Sequence, residues 1–451
     1  MADPAVAVRF APSPTGRLHI GNIRSALLNA LYAKKASGTF MLRLDDTDVE
    51  RSTEAFADGI REDLTWLGLT WERTAKQSDR FERYDAVAQD LKARGLLYAC
   101  YETPEELDAK RKRQRLRGLP PVYDRSALDL TDADRAKLEG EGRKPHWRFK
   151  LDGSTVTWTD LVRGEVSIDT ASISDPVLIR ADGTYLYTLP SVIDDVDFAI
   201  THIIRGEDHV TNSGAQILVF RALGATEPAF GHHSLMTDAS GEGLSKRLGS
   251  LSVAALREEG LEPLSILSLL ARLGTSDPVE PRTSLEAIIE GFDLSRLSRA
   301  PARFDPAELT ALNGKILHTM TYAEAEPRLA AKGIEASQAL WDAVHENLSV
   351  LEDVAAFRAL IDGPIEPAAA AEDADYLAEA RTSLPEGEMT EETWGAWTGA
   401  LKAATGRKGK ALFMPLRLAL TGRAHGPEMG KLLPLIGREA ILTRLASAAG
   451  D

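Results

Sequence analysis

Apolar and polar positions alternate in strand fashion at Val6 to Phe10, and from Ile23 onward Ala26, Leu27, Ala30 and Leu31 recur at helical spacing. Phe40 to Leu44 reads as a second strand. The opening order is therefore strand, loop, helix, strand, the beginning of a parallel α/β sheet. Helical patterning follows over Thr53 to Leu67 and Arg80 to Arg94. From about Tyr98 the pattern becomes mixed and charged, with strand candidates at His146 to Leu151 and Val166 to Asp169, and this stretch reads as an insertion. The α/β pattern returns near Tyr185, with strands predicted at Ser191 to Ile193 and Ala199 to Ile204. Beyond about residue 250 helical periodicity takes over, as in Leu261 to Leu273 and Trp341 to Leu360, with a Pro/Ala-rich linker at Pro364 to Ala371.

Length and composition change this picture in four ways. At 451 residues and 43% apolar the chain can bury several cores, so more than one domain is expected. A single cysteine, Cys100, excludes an intrachain disulfide and points to a reducing compartment, taken here as the cytoplasm. The start carries Asp3 and no basic residue before Arg9, and apolar runs such as Leu264 to Ala271 are too short to span a bilayer, so no membrane role is expected. The net charge of −15 argues against a protein that coats nucleic acid. It leaves room for a local basic footprint: Lys110, Arg111, Lys112, Arg113, Arg115 and Arg117 put six positive charges into eight residues, either a solvated helix face or a contact for phosphates.

The strand-to-helix junction holds the first candidate chemistry. Pro12 and Pro14 stiffen the chain leaving the strand, Gly16 permits a turn, and Gly21 lets backbone approach a ligand where the helix begins. A helix N-terminus with His19 beside it is suited to phosphate. A lone H-x-G at such a junction is more often a cap. A second segment strengthens the ligand reading: in residues 241 to 250, Lys246 sits among Gly241, Gly243 and Gly249, as in a loop that closes over a polyphosphate.

Together these segments resemble the HIGH and KMSKS elements of class I aminoacyl-tRNA synthetases, with His19-Ile20-Gly21-Asn22 as the first and Leu244-Ser245-Lys246-Arg247 as the second. The wording Arg9-Phe10-Ala11-Pro12-Ser13-Pro14-Thr15-Gly16 resembles the bacterial glutamyl group rather than the glutaminyl one. Leu42 to Asp48, Ile203 to His209 and Lys408 to Arg417 fit the same group. The resemblance implies an α/β plus all-α protein. It would have a Rossmann-like catalytic domain (residues 1–97 and 185–250) split by an acceptor-end-binding insertion (98–184), then a stem-contact domain (251–315) and an all-helical anticodon-binding region (316–451). It implies ATP with Mg2+, L-glutamate and tRNA(Glu) as substrates, with tRNA(Gln) left open as a second acceptor, and a monomer. His19 and Lys246 become catalytic candidates, and His19, Gly21, Asn22, Lys246 and Arg247 ATP-binding ones. Arg9, Ser13, Asp45, Tyr187 and Arg205 become candidates for glutamate. Arg9 and Arg205 lie in or beside apolar strands, where an unpaired charge is costly, so a partner is expected for each. Tyr187 reads equally as a core aromatic with a satisfied hydroxyl. Lys110, Arg111, Arg113 and Arg417 are the regional candidates for tRNA.

Three departures stand out. Asp45 replaces the family's usual Glu, one methylene longer, and Gly243 occupies the place of the first KMSKS lysine. Some members of the group hold zinc in the insertion through several cysteines, and Cys100 with Tyr98 and Tyr123 lacks that set, so no structural zinc is expected. His232-His233 is a weak metal motif and reads as structural. Roughly two hundred residues after the Lys246 loop count against a shortened relative that lacks an anticodon-binding portion.

Overall fold

A computed structural model describes residues 5–238, 240–244, 251–366 and 368–450. The chain divides into two compact units, Met1–Arg257 with Ile266–Asp305, and Glu258–Ser265 with Pro306–Asp451.

In the first unit, β1 (Ala7–Phe10), β2 (Thr39–Leu44) and β3 (Arg73–Lys76) pair in parallel in that order. The crossovers are α1 (Ile20–Lys35) and α2 (Glu54–Trp66). After α3 (Phe81–Ala93) the chain enters the insertion, where β4 (Leu97–Cys100), β5 (His146–Phe149) and β8 (Val177–Ile179) form an antiparallel sheet. Helices α4 (Pro104–Leu116) and α5 (Asp132–Gly140) separate the first two of these strands, and β6 (Thr155–Asp160) and β7 (Gly164–Asp169) make an antiparallel hairpin. The parallel pattern resumes after α6 (Thr188–Asp197) with β9 (His202–Gly206), α7 (Val210–Ala222) and β10 (Ala229–His233), the two strands again parallel.

Thr201 joins the halves, its N–H donating to the Ala7 carbonyl at 2.9 Å and its hydroxyl oxygen accepting from the Ala7 N–H at 2.8 Å. The spatial order is then β3-β2-β1-β9-β10, a Rossmann-like arrangement whose strand order reverses between β1 and β9. In such sheets ligands bind beyond the carboxyl ends of the strands at that reversal. Strands buried on both faces read as apolar runs: five of the six β2 residues are buried.

One predicted strand is corrected. Ser191 to Ile193 lies inside α6, because Leu189, Val192, Ile193 and Val196 follow helical spacing and a short apolar run alone does not distinguish the two periods. Trp341 to Leu360, read as helical, falls in two helices, Gln338–Val344 and Asp353–Asp362.

The second unit is helical among its described residues, from Pro306–Thr319 to Arg438–Ala449. Its core includes the fully buried Trp341 and Trp397, whose indole N–H groups donate to the Met320 and Ala380 carbonyls at 3.1 and 3.0 Å. No helix among the described residues is long and apolar enough to cross a membrane.

Candidate functional site

A cleft of about 790 Å³ opens at the sheet reversal. It is lined by Arg9 and Phe10 at the end of β1, by Arg205 at the end of β9, by His19 and Gly21 at the start of α1, and by Tyr187. Ser13 and Asn22 also line it. Seven sequence-predicted residues from four separate segments are thereby brought together.

His19 is the N-cap of α1. Its Nδ1 accepts the Gly21 N–H at 3.1 Å, while the Asn22 Oδ1 accepts the His19 N–H at 3.2 Å, a reciprocal capping box. Because Nδ1 is an acceptor, the neutral ring carries its proton on Nε2, which makes the free nitrogen a donor. Burial lowers the His19 pKa, which favours that neutral form. Gly21 has a further reason beside the one its sequence suggested: a Cβ there would come within 3.1 Å of the His19 ring, so the glycine makes room for the cap.

Lys246 and Arg247 lie outside the described residues. Their flanks reach the same cleft: Met236 lines it, and beyond the loop the Ile20 N–H donates to the Leu251 carbonyl at 3.0 Å and the Val253 N–H to the Leu18 carbonyl at 3.1 Å, with Ser252 bridging His19.

The two strand-end arginines have unlike surroundings. Arg9 is buried and ion-paired with Asp195 at 3.1 Å. Arg205 is also buried, yet no carboxylate lies within ion-pair distance among the described residues. Its Nη1 donates to the Tyr187 hydroxyl at 2.8 Å, its Nη2 to Ser213 Oγ at 2.5 Å and Gln216 Oε1 at 2.6 Å, and its Nε has no partner. Burial lowers the Arg205 pKa, as expected of a cation lacking a counter-ion. Burial alone would raise the Tyr187 hydroxyl, but Arg205 and Arg9 beside it outweigh that and lower it.

Asp45 does not line the cleft. Its oxygens grip Arg43, Oδ1 accepting from Nε at 2.7 Å and Oδ2 from Nη2 at 3.1 Å. Burial raises the Asp45 carboxyl to about 6, against the pull of Arg43 and then Arg9. Arg43 also reaches Asp195 at 2.7 Å and Asp194 at 3.7 Å. Asp194 in turn accepts from the Tyr84 hydroxyl at 3.0 Å and from Arg80 at 2.7 Å. Arg43, Asp194 and Asp195 were not predicted as site residues, although Arg43 interrupts an apolar strand as Arg9 does, and the same cost argument would have found it.

The adjacent histidines do not share a ligand. Neighbouring strand residues point to opposite faces. His232 meets Asp160 and Ser213, whereas His233 meets Ser25 Oγ at 3.0 Å and the Ser234 carbonyl at 3.1 Å.

In the insertion, Cys100, Glu102 and His146 fall within 4.8 Å of one another, a grouping hidden in the sequence because His146 arrives on a later strand. Burial raises the Cys100 thiol to about 11, and Glu102 Oε1 already accepts from the Tyr123 hydroxyl at 2.7 Å and the Lys110 ammonium at 3.2 Å. Glu102 Oε2 and His146 Nε2 have no hydrogen-bond partner. The tRNA candidate Lys110 is thus drawn inward, also reaching Asp124 at 3.1 Å, whereas Arg113 is exposed and Arg111 pairs with Asp108 at 2.7 Å on the helix surface. Arg417 is half-buried and donates to the Pro427 carbonyl at 2.7 Å.

The sheet, with its cleft at the strand reversal beside a histidine-capped helix start, has the architecture of a class I aminoacyl-tRNA synthetase catalytic domain. The family model "tRNA synthetases class I (E and Q), catalytic domain" matches residues 5–311, and "Anticodon binding domain" matches residues 320–449. The chain is 62% identical to glutamate–tRNA ligase 1 of Maricaulis maris, over 98% of this chain and 99% of that one. It is 59% identical to glutamate–tRNA ligase 1 of Parvibaculum lavamentivorans, over 98% of each. The solved glutamate tRNA ligase of Elizabethkingia meningosepticum, in complex with its amino acid, superimposes with a TM-score of 0.86 at 29% identity, covering 99% of both chains. This chain belongs to the glutamate–tRNA ligase family.

Proposed function

We propose that this cleft joins L-glutamate to ATP and then to tRNA, with Arg205, Tyr187, Arg9, Ser13 and Asp45 handling glutamate and with His19, Gly21, Asn22, Lys246 and Arg247 handling ATP. The observation that carries the reading is Arg205, a buried guanidinium open to the cleft without a carboxylate of its own. A substrate carboxylate supplies the missing counter-ion through paired charge-assisted hydrogen bonds. Glutamine, with an uncharged amide, would leave the cation unneutralised, and such buried mismatches discriminate strongly.

In the first step an oxygen of the glutamate α-carboxylate attacks the α-phosphorus of ATP and the bond to pyrophosphate breaks. In the second, a hydroxyl of the tRNA 3′-terminal ribose attacks the acyl carbon and AMP leaves. The chain's part is positioning and charge stabilisation. The Nε2–H of His19 and the N-terminus of α1 are assigned to the phosphates, and Lys246, outside the described residues but six positions before the Ser252 that bridges His19, to the charge that builds on them. Mg2+ enters on the ATP phosphates, with no protein ligand assigned. Ser13 is assigned to the substrate ammonium, and Asp45, bonded to Arg43 outside the cleft lining, acts on it through its field rather than by contact.

The insertion, 98–184, is the proposed holder of the acceptor end. Residues 251–315 contact the stem, 316–451 the anticodon, and Arg111 and Arg113 contribute phosphate contacts along with the more enclosed Lys110 and Arg417. The insertion is proposed to do without zinc, and the enzyme to act as a cytoplasmic monomer. Aminoacylation of purified tRNA(Glu) and tRNA(Gln) with labelled glutamate tests the reading. Glutamate should be transferred to tRNA(Glu), the tRNA(Gln) arm decides whether a second acceptor is used, and no transfer to either would overturn the proposal.

A further inference from the structure

The hairpin of the insertion reaches into the glutamate end of the cleft through a chain of buried polar side chains. Asp160, the last residue of β6, is 3% exposed. Its Oδ1 accepts from the backbone N–H groups of Val162, Arg163 and His232, each at 3.0 Å. Its Oδ2 lies 2.5 Å from His232 Nδ1. With a carboxylate at Nδ1, the neutral imidazole carries its proton there and leaves Nε2 as an acceptor. Ser213 Oγ is 2.8 Å from that Nε2, and the other acceptor within its reach, the His209 carbonyl, is farther at 3.1 Å. The hydroxyl therefore donates to His232, which turns its lone pairs toward Arg205, whose Nη2 donates to them at 2.5 Å. Each hydrogen bond fixes the direction of the next.

Packing holds the imidazole in place. Phe230 stacks on His232 at 6.0 Å and 5°, and Trp158 lies 6.2 Å away. Both partners follow from strand periodicity: Phe230 and His232 share one face of β10, as Trp158 and Asp160 share one face of β6. Asp160 also docks the hairpin on β10 through the His232 N–H, whereas the His232 ring and the Ser213 hydroxyl make no backbone pairing of the sheet. A buried Asp-His pair ending on a serine that touches one guanidinium nitrogen is costly to maintain unless that guanidinium must be aimed.

We propose that Asp160, His232 and Ser213 are positioning residues that aim Arg205 at the side-chain carboxylate of glutamate, and that the insertion's hairpin thereby tunes the amino-acid pocket. The relay rests on the reading of Arg205 as the glutamate-binding cation. It makes the 160–164 turn, whose Arg163 also pairs with Glu207 at 2.6 Å, the mechanical link between the insertion and the pocket.

The test compares Ser213→Ala, His232→Asn and Asp160→Asn with Arg205→Lys in the full-length enzyme, reading KM for glutamate, KM for ATP and Tm. Ser213→Ala removes a hydroxyl and little volume, so it reports even if the other relay variants fold poorly. His232→Asn keeps a donor toward Asp160 and loses the reach to Ser213. Each relay variant is expected to raise KM for glutamate by about tenfold while KM for ATP stays within about twofold. Ser213→Ala should add nothing further in the Arg205→Lys background, because the aimed group is already changed. Folded Ser213→Ala and His232→Asn enzymes with unchanged KM for glutamate, beside an impaired Arg205→Lys, would overturn the relay alone. An unimpaired Arg205→Lys would instead overturn the glutamate-binding reading of Arg205 and the relay with it.

Discussion

Arg43 and Arg205 are both buried arginines at strands of the same sheet, yet one is ringed by Asp45, Asp194 and Asp195 and the other has neutral partners. The difference separates a charge used to build the site from one reserved for a ligand. Arg43 completes its ion pairs within the protein, so its removal should act on folding. Arg43→Met would strand the buried Asp45 carboxylate and take one partner each from Asp194 and Asp195, which keep Arg80 and Arg9, and destabilisation of about 3–5 kcal/mol is expected from urea unfolding. A loss below about 1 kcal/mol would show that water reaches the cluster and that the contrast drawn here is wrong.

Arg205→Met is the mirror experiment. It removes a cation without a counter-ion, so stability should hold or rise, while kcat/KM for glutamate falls by about 2–5 kcal/mol in transition-state terms. If both substitutions lowered stability alike and neither spared glutamate binding, the two arginines would not have distinct roles.

The pH dependence sharpens the same contrast at Asp45. Its pKa is raised to about 6 in the folded chain, mainly by burial, so the folded state holds this proton more tightly than the unfolded one. Ionisation of Asp45 therefore works against the empty fold as pH rises through about 4 to 6, and the charged form whose field favours the substrate ammonium predominates above about 6. kcat/KM for glutamate should fall by about tenfold per unit below that pH, and Asp45→Asn should flatten this limb. A limb that persists in Asp45→Asn assigns the titration to another group.

Much of the site could be read before any coordinates, and for a physical reason. Arg9, His19, Gly21 and Asn22 are close in sequence, and strand, cap and helix start are local features. Arg205 stood out as a charge in an apolar strand. The surroundings that give each arginine its meaning were not legible, since Asp195 meets Arg9, and Asp160 meets His232, only after long excursions of the chain. The aspartates of α6 were hidden further by reading Ser191 to Ile193 as a strand, which put their side chains on the wrong period. The Cys100 neighbourhood failed to show for the same reason, His146 being supplied by β5.

The smallest expected effect concerns His19, where two roles share one ring. Nδ1 caps α1, and the proton left on Nε2 is the proposed phosphate donor. His19→Ala removes both and should cost about 0.5–2 kcal/mol of stability for the lost cap, together with turnover. His19→Asn separates them, because asparagine is among the best N-cap residues yet its side chain is too short to put a donor where Nε2 stood. The Asn variant should therefore keep nearly the native Tm while kcat in glutamate-dependent pyrophosphate exchange falls by about 10- to 100-fold. KM for glutamate should change little, since the Arg205 end of the cleft is untouched. If the Asn enzyme turned over like the native one, the ring would be a cap and nothing more, and the phosphates would have to be held by the helix terminus and the Lys246 loop without it.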